Sequence, residues 1–480
     1  MKLADRPLIY EINTALFLAN LSHKYQRSVE LGSVPDDEWD RIAQHRPQVV
    51  WLMGVWRRSQ IGRELAKTHI EEYRQTLPDI NSEDIIGSAY SIAEYAVEPA
   101  YGGEAGLAIA RMALAERGIG LILDFVPNHT GLDHHWLDDQ TENYVQGKQA
   151  DIEAKPTWFF EHNQLIFARG RDPNFEPWSD VAQLNPFSER YRLATTETIS
   201  RIADLSDGVR CDMAMLMMNS VFAKTWGEHA GSIPESEFWT GVISSVKNKN
   251  QDFTFIAEAY WGYQQALLDQ GFDYCYDKTF LDLIIDGSAA KLTRYLKQNV
   301  SIQRQSVVFL ENHDEPRIAG HIQRTIYKPS AVFFYFFEGA RMVLDGQYDG
   351  FRVRLPVQLS RGPEETSDPE LMGFYQELES VRSGFGFVGA SWELLEPRSV
   401  HLGRSSQQVA AYSWQTQDEL LLVAANLSER DAEALINLPS DYQEPQNLLS
   451  STDANYQLEN GQIKLSLPKS GYAVIKFLKK

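Results

Sequence analysis

Several polar side chains stand where apolar runs of this 480-residue sequence end. One run delivers Asp124, Asn128 and His129, the next Arg210 and Asp212, another Glu258, and a later one Asn312, His313 and Asp314. Singly, each has an ordinary reading: a carboxylate after a strand caps a helix or shapes a turn, and a buried histidine or glutamate completes a framework hydrogen bond. Together they are enough for acid–base or nucleophilic chemistry. GLDHHW at 131–136 holds metal-ligand types, but no His-x-x-x-His or clustered-carboxylate spacing supports a catalytic metal centre. Neither common Gly-rich phosphate loop is present, and no G-x-S-x-G marks a nucleophilic serine. A pair of carboxylates acting on an acetal, one as nucleophile and one as proton donor, is the chemistry that remains natural.

The elements that must position these groups are short, nearly continuous apolar runs. They are PLIYEIN (7–13), PQVVWLMGVW (47–56), GIGLILDFVPN (118–128), DGVRCDMAM (207–215), FTFIAEAYW (253–261), FDYCYD (272–277), SVVFLENHD (306–314) and ARMVLDGQ (340–347). Such runs suit parallel strands buried on both faces. Amphipathic segments separate them; in GGEAGLAIARMALAERG the spacing places Leu107, Ala110, Leu114 and Ala115 on one helix face and ends the helix by Gly118. Eight strands alternating with helices predict an α/β fold, a (β/α)8 TIM barrel whose chemistry sits at the C-terminal ends of its strands.

Two parts break the alternation. Residues 129–187, rich in His, Trp, Asp, Asn and Pro, read as an inserted subdomain after strand 3, because no ordinary βα loop is so long. From residue 392 the period changes to alternation, as in QVAAYSW, ELLLVAANL and YAVIKFL, so 392–480 reads as a C-terminal antiparallel β-sandwich domain. Residues 1–128 and 188–391 are left for the barrel.

A formal charge of −21 argues against binding nucleic acid or anionic lipid and favours a neutral small molecule as partner. No apolar segment is long enough for a secretory signal or a membrane span; even SAVFFYFFEGARMVL is interrupted by Glu338 and Arg341. Cys211 and Cys275, each inside an apolar run, read as buried thiols in a reducing cytoplasm.

DFVPNH (124–129), GVRCDMAM (208–215), FIAEAY (255–260) and FLENHD (309–314) resemble the four ordered signature regions of the α-amylase superfamily, glycoside hydrolase family 13. The resemblance runs over nearly the whole chain, because the insertion and the C-terminal domain match that family's domains B and C. It implies that Asp212 is the nucleophile, Glu258 the acid and then the base, and Asp314 a third carboxylate gripping sugar hydroxyls. Anomeric configuration would be retained. It further implies that Tyr90 stacks on the sugar, that His129 and His313 hydrogen-bond it, that Asp124 braces Arg210, and that Arg317 closes a pocket for short oligosaccharides or glucosides.

Two local features agree with those roles. Arg210, two residues before Asp212 on the same strand face, would keep the nucleophile ionised. Glu258, flanked by Ala257, Ala259, Tyr260 and Trp261, has apolar neighbours suited to keeping a proton. Departures from the family pattern narrow the reading. Where starch-degrading relatives carry a Lys-His pair, this chain reads MAMLMM from Met213 to Met218, which implies a smaller or less polar acceptor site. Asn128 matches a calcium ligand of many amylases, so a structural calcium is expected at most, with no cofactor required. The expectation is a cytoplasmic retaining α-glycosidase acting on small α-glucosides, disaccharides or oligosaccharides. A transglycosylase or phosphorylase using the same intermediate stays open, and an inactive binding relative is disfavoured because the carboxylates are all kept.

Overall fold

The computed structural model describes residue 3 and residues 5–322, 324–400, 405–439, 441–459 and 461–479. Eight parallel strands close into a barrel in chain order: β1 (Leu8–Asn13), β2 (Val49–Met53), β3 (Gly120–Phe125), β4 (Gly208–Cys211), β5 (Thr254–Ala257), β6 (Tyr274–Tyr276), β7 (Ser306–Phe309) and β8 (Ala340–Leu344). Each lies inside the apolar run that predicted it, but is shorter. Asp124 and Arg210 lie within the ladder, whereas Asp212, Glu258, Asn312, His313 and Asp314 follow the last paired residues of their strands. By contacts the chain forms two compact units, residues 1–276 with 354–364, and residues 277–353 with 365–480.

Within the first unit the β3–β4–β5 ladder fixes side-chain direction. Asp124, Arg210 and Ile256 are in register, and so are Phe125, Cys211 and Ala257. Because neighbours in register point to the same face, Asp124 and Arg210 face one way and Cys211 the other. Gly208 is required by the close approach of β5, since a Cβ there would lie 2.8 Å from the Thr254 carbonyl oxygen. Cys211 and Cys275 are free and buried, at one register level with Ala257 between them. Two strand spacings put them roughly 9–10 Å apart, too far for a disulfide.

The helix Gly103–Glu116 packs Gly106, Leu107, Ala110 and Leu114 inward, an i, i+1, i+4, i+8 stripe. Ala115, expected on that face, is exposed, because one residue past Leu114 turns it about 100° away. The helix Glu189–Leu205, capped by Ser188 accepting from the Tyr191 N–H, leads the chain back to β4. Between β3 and that helix lie two small hairpin-like pairs, His129–Gly131 with Val181–Gln183 and Phe159–His162 with Leu165–Ala168. Val145, Phe159 and Ala168 form a separate small core with Phe222, Trp226 and Ala230.

In the second unit the C-terminal strands are β9 (Ser391–Leu395), β10 (Val409–Gln415), β11 (Glu419–Asn426), β12 (Ala432–Asn437), β13 (Tyr442–Ser450), β14 (Asn455–Glu459), β15 (Gln462–Leu467) and β16 (Tyr472–Lys479). They make a five-stranded antiparallel sheet, β9-β10-β11-β16-β13, and a three-stranded one, β12-β15-β14. The inward residues of both, including Val409, Leu422, Ile436, Leu465 and Ile475, share one apolar core. In the three-stranded sheet β12 and β15 alternate between buried and more exposed residues, whereas β10, β11 and most of β16 are buried on both faces. Among the described residues no helix is long and apolar enough to cross a membrane.

Candidate active site

The first unit gathers Asp124, Arg210, Asp212, Glu258 and Tyr90 around one buried guanidinium. Arg210 is 1% exposed; its Nη1 donates to Asp212 Oδ1 at 2.8 Å, and its Nη2 lies 2.7 Å from Glu258 Oε2. Asp124 Oδ1 is 3.6 Å from Nη1, while Asp124 Oδ2 accepts from the Gly54 N–H at 3.0 Å. The rings of Trp51, Tyr90 and Tyr276 surround the cation at 5.2, 5.3 and 5.6 Å. Burial opposes the charge, but the facing Glu258 carboxylate, with Asp212, more than offsets it and holds the Arg210 pKa well above its ordinary value.

Backbone geometry locks the two carboxylates together. The Asp212 N–H bonds the Phe125 carbonyl, and the Glu258 N–H bonds the Cys211 carbonyl, each continuing its ladder one residue past the strand. Met213 then enters the left-handed region at φ 40°, which turns its N–H onto Glu258 Oε2 at 2.7 Å. The hydroxyl of Tyr260 donates to the other oxygen, Oε1, also at 2.7 Å.

The apolar company expected for Glu258 is therefore replaced by a guanidinium, a backbone N–H and a hydroxyl. The physical reason is strand alternation: Ala257 and Ala259 are its sequence neighbours and are fully buried, whereas its spatial neighbours come from the end of β4. The methionine run also differs from expectation. Residues 214–217 form a buried 3-10 turn, so the segment is mostly core and only Met213 is partly exposed.

His129 is 6% exposed, packs its ring 5.2 Å from that of Trp178 and hydrogen-bonds the main chain of Tyr90. Burial lowers its pKa to about 4, so the imidazole is neutral near pH 7. It ties the Tyr90 loop to the insertion. Asn128 Oδ1, the atom a calcium would need, accepts from Gln183 Nε2 at 2.9 Å, and Asn128 Nδ2 lies 3.2 Å from His129 Nδ1. Among the described residues no group of three His, Cys, Asp or Glu side chains could hold a metal ion.

In the second unit, β7 is followed by Leu310 and Glu311, then by an Asx turn in which Asn312 Oδ1 accepts from the N–H groups of Asp314 and Glu315 at 2.9 Å each. The turn places His313 Nε2 3.1 Å from Asp314 Oδ2, with the histidine buried and the Asp314 side chain 42% exposed. Arg317 is buried and paired. Its Nη1 donates to Glu311 Oε1 at 2.5 Å and its Nη2 to the Asp345 carbonyl at 2.8 Å, while Glu311 Oε2 accepts from the Ile318 N–H. Burial disfavours that guanidinium's charge, and Glu311 more than restores it.

Reading the sequence passed over Tyr260, the Met213 N–H and Glu311. Glu311, a second carboxylate in FLEN with an arginine six residues on, and Tyr260, two residues after Glu258, carried usable signals; the Met213 N–H depends on a turn that only the folded chain shows.

Known proteins with a similar sequence or fold include several α-amylases. The family model described as alpha amylase, catalytic domain, matches residues 74–185. The α-amylase MalA of Haloarcula japonica is 24% identical over 322 residues, which is 65% of this chain and 43% of that protein's length. Among solved structures, the α-amylase of Geobacillus thermoleovorans superimposes with a TM-score of 0.70 at 18% identity over the whole of both chains. The maltogenic α-amylase AmyB of Thermotoga neapolitana gives 0.69 at 17% identity, and trehalose-6-phosphate hydrolase of Bacillus licheniformis 0.68 at 16%, each over 99% of both chains.

Proposed function

We propose that this chain, a member of the α-amylase superfamily, hydrolyses small α-glucosides by double displacement at Asp212 and Glu258. The observation that carries the reading is the Arg210 bridge, with one carboxylate on each terminal nitrogen of a single guanidinium. A planar fork shared in this way favours the short carboxyl separation, roughly 5–5.5 Å, at which retention rather than inversion follows. Asp212, hydrogen-bonded to a permanently charged arginine, is kept anionic and aimed.

In the first step an Asp212 carboxylate oxygen attacks the anomeric carbon, the bond to the leaving oxygen breaks, and the Glu258 proton moves to that oxygen. In the second, Glu258 takes a proton from water as the water oxygen displaces Asp212, which regenerates both groups. Tyr90, its ring beside Arg210, stacks on the sugar. Asp124 braces the arginine. His313 and Asp314 bind hydroxyls, Asp314 as the third carboxylate. His129 acts by holding the Tyr90 loop. A small aglycone accords with the segment after Asp212 being core rather than a polar acceptor surface.

The test is leaving-group dependence. Glu258→Gln should cut turnover of an alkyl α-glucoside on the order of 10²- to 10⁴-fold while largely sparing an activated aryl α-glucoside. Equal loss on both would remove the acid role.

A further inference from the structure

We infer that Tyr260 is a positioning residue for Glu258: its hydroxyl selects the carboxyl oxygen that carries the acid proton and sets how firmly that proton is held. The inference rests on the acid role proposed for Glu258. Oε2 faces the Met213 N–H and the Arg210 Nη2, each at 2.7 Å, and both groups can only donate. A proton on Oε2 would point at donors, so Oε1 is the oxygen left to take it. Among the described residues Tyr260 makes the one hydrogen bond to Oε1. While Tyr260 donates to one lone pair, the other is left for the proton.

The local backbone is built to keep Tyr260 there. The Tyr263 N–H closes a turn onto the Tyr260 carbonyl at 3.2 Å, and both central residues have positive φ, Trp261 at 58° and Gly262 at 81°. That pattern is comfortable for glycine but disfavoured for tryptophan, whose side chain is left 45% exposed. The chain reverses just beyond Tyr260, whose hydroxyl reaches the carboxylate two residues earlier. A bulky residue held in a disfavoured conformation next to a reacting group is what a positional demand on its neighbour would produce.

The sign of the effect follows from which form the hydroxyl prefers. A donor to Oε1 favours the carboxylate over the acid, so its removal raises the proton affinity of Glu258. The other titratable groups around the pair, Arg210 and Asp212 from β4, Tyr276 from β6 and Tyr90 from its loop, are unchanged in a Tyr260→Phe protein. That protein, lacking the donor to Oε1, should therefore hold the Glu258 proton more tightly than the parent does. The basic limb of the kcat/KM profile, which needs Glu258 protonated, should move upward accordingly.

Two readouts keep this separable from the hydrolase proposal. The first is an infrared difference titration of the Glu258 carboxyl without substrate, its band assigned by loss in Glu258→Gln; the second is the pH profile on an α-glucoside. An upward shift in both supports the inference. An unmoved infrared midpoint in folded Tyr260→Phe overturns it, including when the variant is merely less stable. A shifted midpoint in a protein that cleaves no α-glucoside supports the Tyr260–Glu258 coupling and overturns the hydrolase reading alone.

Discussion

Two buried arginines stand at strand ends of this barrel and use their nitrogens in opposite ways. Arg210, past the middle of β4, divides its terminal nitrogens between two carboxylates and has three aromatic rings around it. Arg317, eight residues beyond the end of β7, gives one nitrogen to Glu311 and the other to the Asp345 carbonyl, and Glu311 is itself closed off by the Ile318 N–H. Both guanidiniums keep their charge against burial. The difference lies in what the carboxylates can do. Glu258 takes its second oxygen to the Tyr260 hydroxyl, while Glu311, fully buried, has both oxygens occupied by its own segment. The shared arginine holds two carboxylates from neighbouring strands; the satisfied pair fixes a loop.

The largest effect that would break this contrast is on Arg210. Arg210→Met leaves Asp212 and Glu258 facing each other without a cation and should lower kcat/KM on the order of 10³-fold. Steady-state kinetics check it, and retention of more than a tenth of wild-type activity would make the arginine only a scaffold. Glu311→Gln is the converse case. Breaking a buried pair by removing one partner costs about 3–5 kcal/mol, so denaturant unfolding should show a large loss of stability. The folded fraction should keep its specific activity within about threefold. Lost activity at unchanged stability would instead put Arg317 on the sugar.

A smaller effect tests how the second unit treats a carboxyl with no counter-ion. Asp277, buried just past β6, accepts from the Phe280 N–H and the Tyr295 hydroxyl, yet burial raises its pKa from 3.8 to about 6. Its folded state holds the proton more tightly than the unfolded chain, so between pH 4 and 6 stability falls as pH rises. The loss is bounded at about 3 kcal/mol, two units at about 1.4 kcal/mol each. Asp277→Asn should flatten this slope in melting curves taken across that range; parallel curves would show that Asp277 is not the group responsible.

How far these features could be read beforehand follows from where their causes lie. The barrel was legible because buried parallel strands leave continuous apolar runs, and the candidate carboxylates because polar residues ending such runs stand out. The Arg210–Asp212 contact was legible too, since two residues on one strand share a face. The cross-strand partners of Glu258 were not, because Arg210 and the Met213 N–H reach it across the ladder; Tyr260, two residues on, was read as apolar company although its hydroxyl is what meets the carboxylate. Ala115 shows the same limit on a helix, where one residue decides between core and solvent. The methionine run read as acceptor surface although it is core, because composition reports apolarity and not which side of the chain meets solvent.

The most direct measurement is to trap the intermediate. Incubation with 5-fluoro-α-D-glucosyl fluoride, followed by proteolysis and mass spectrometry, should give a single sugar adduct on Asp212, absent from Asp212→Asn. An adduct on Glu258, or steady turnover with inversion and no adduct, would contradict the assignment of Asp212 as the nucleophile.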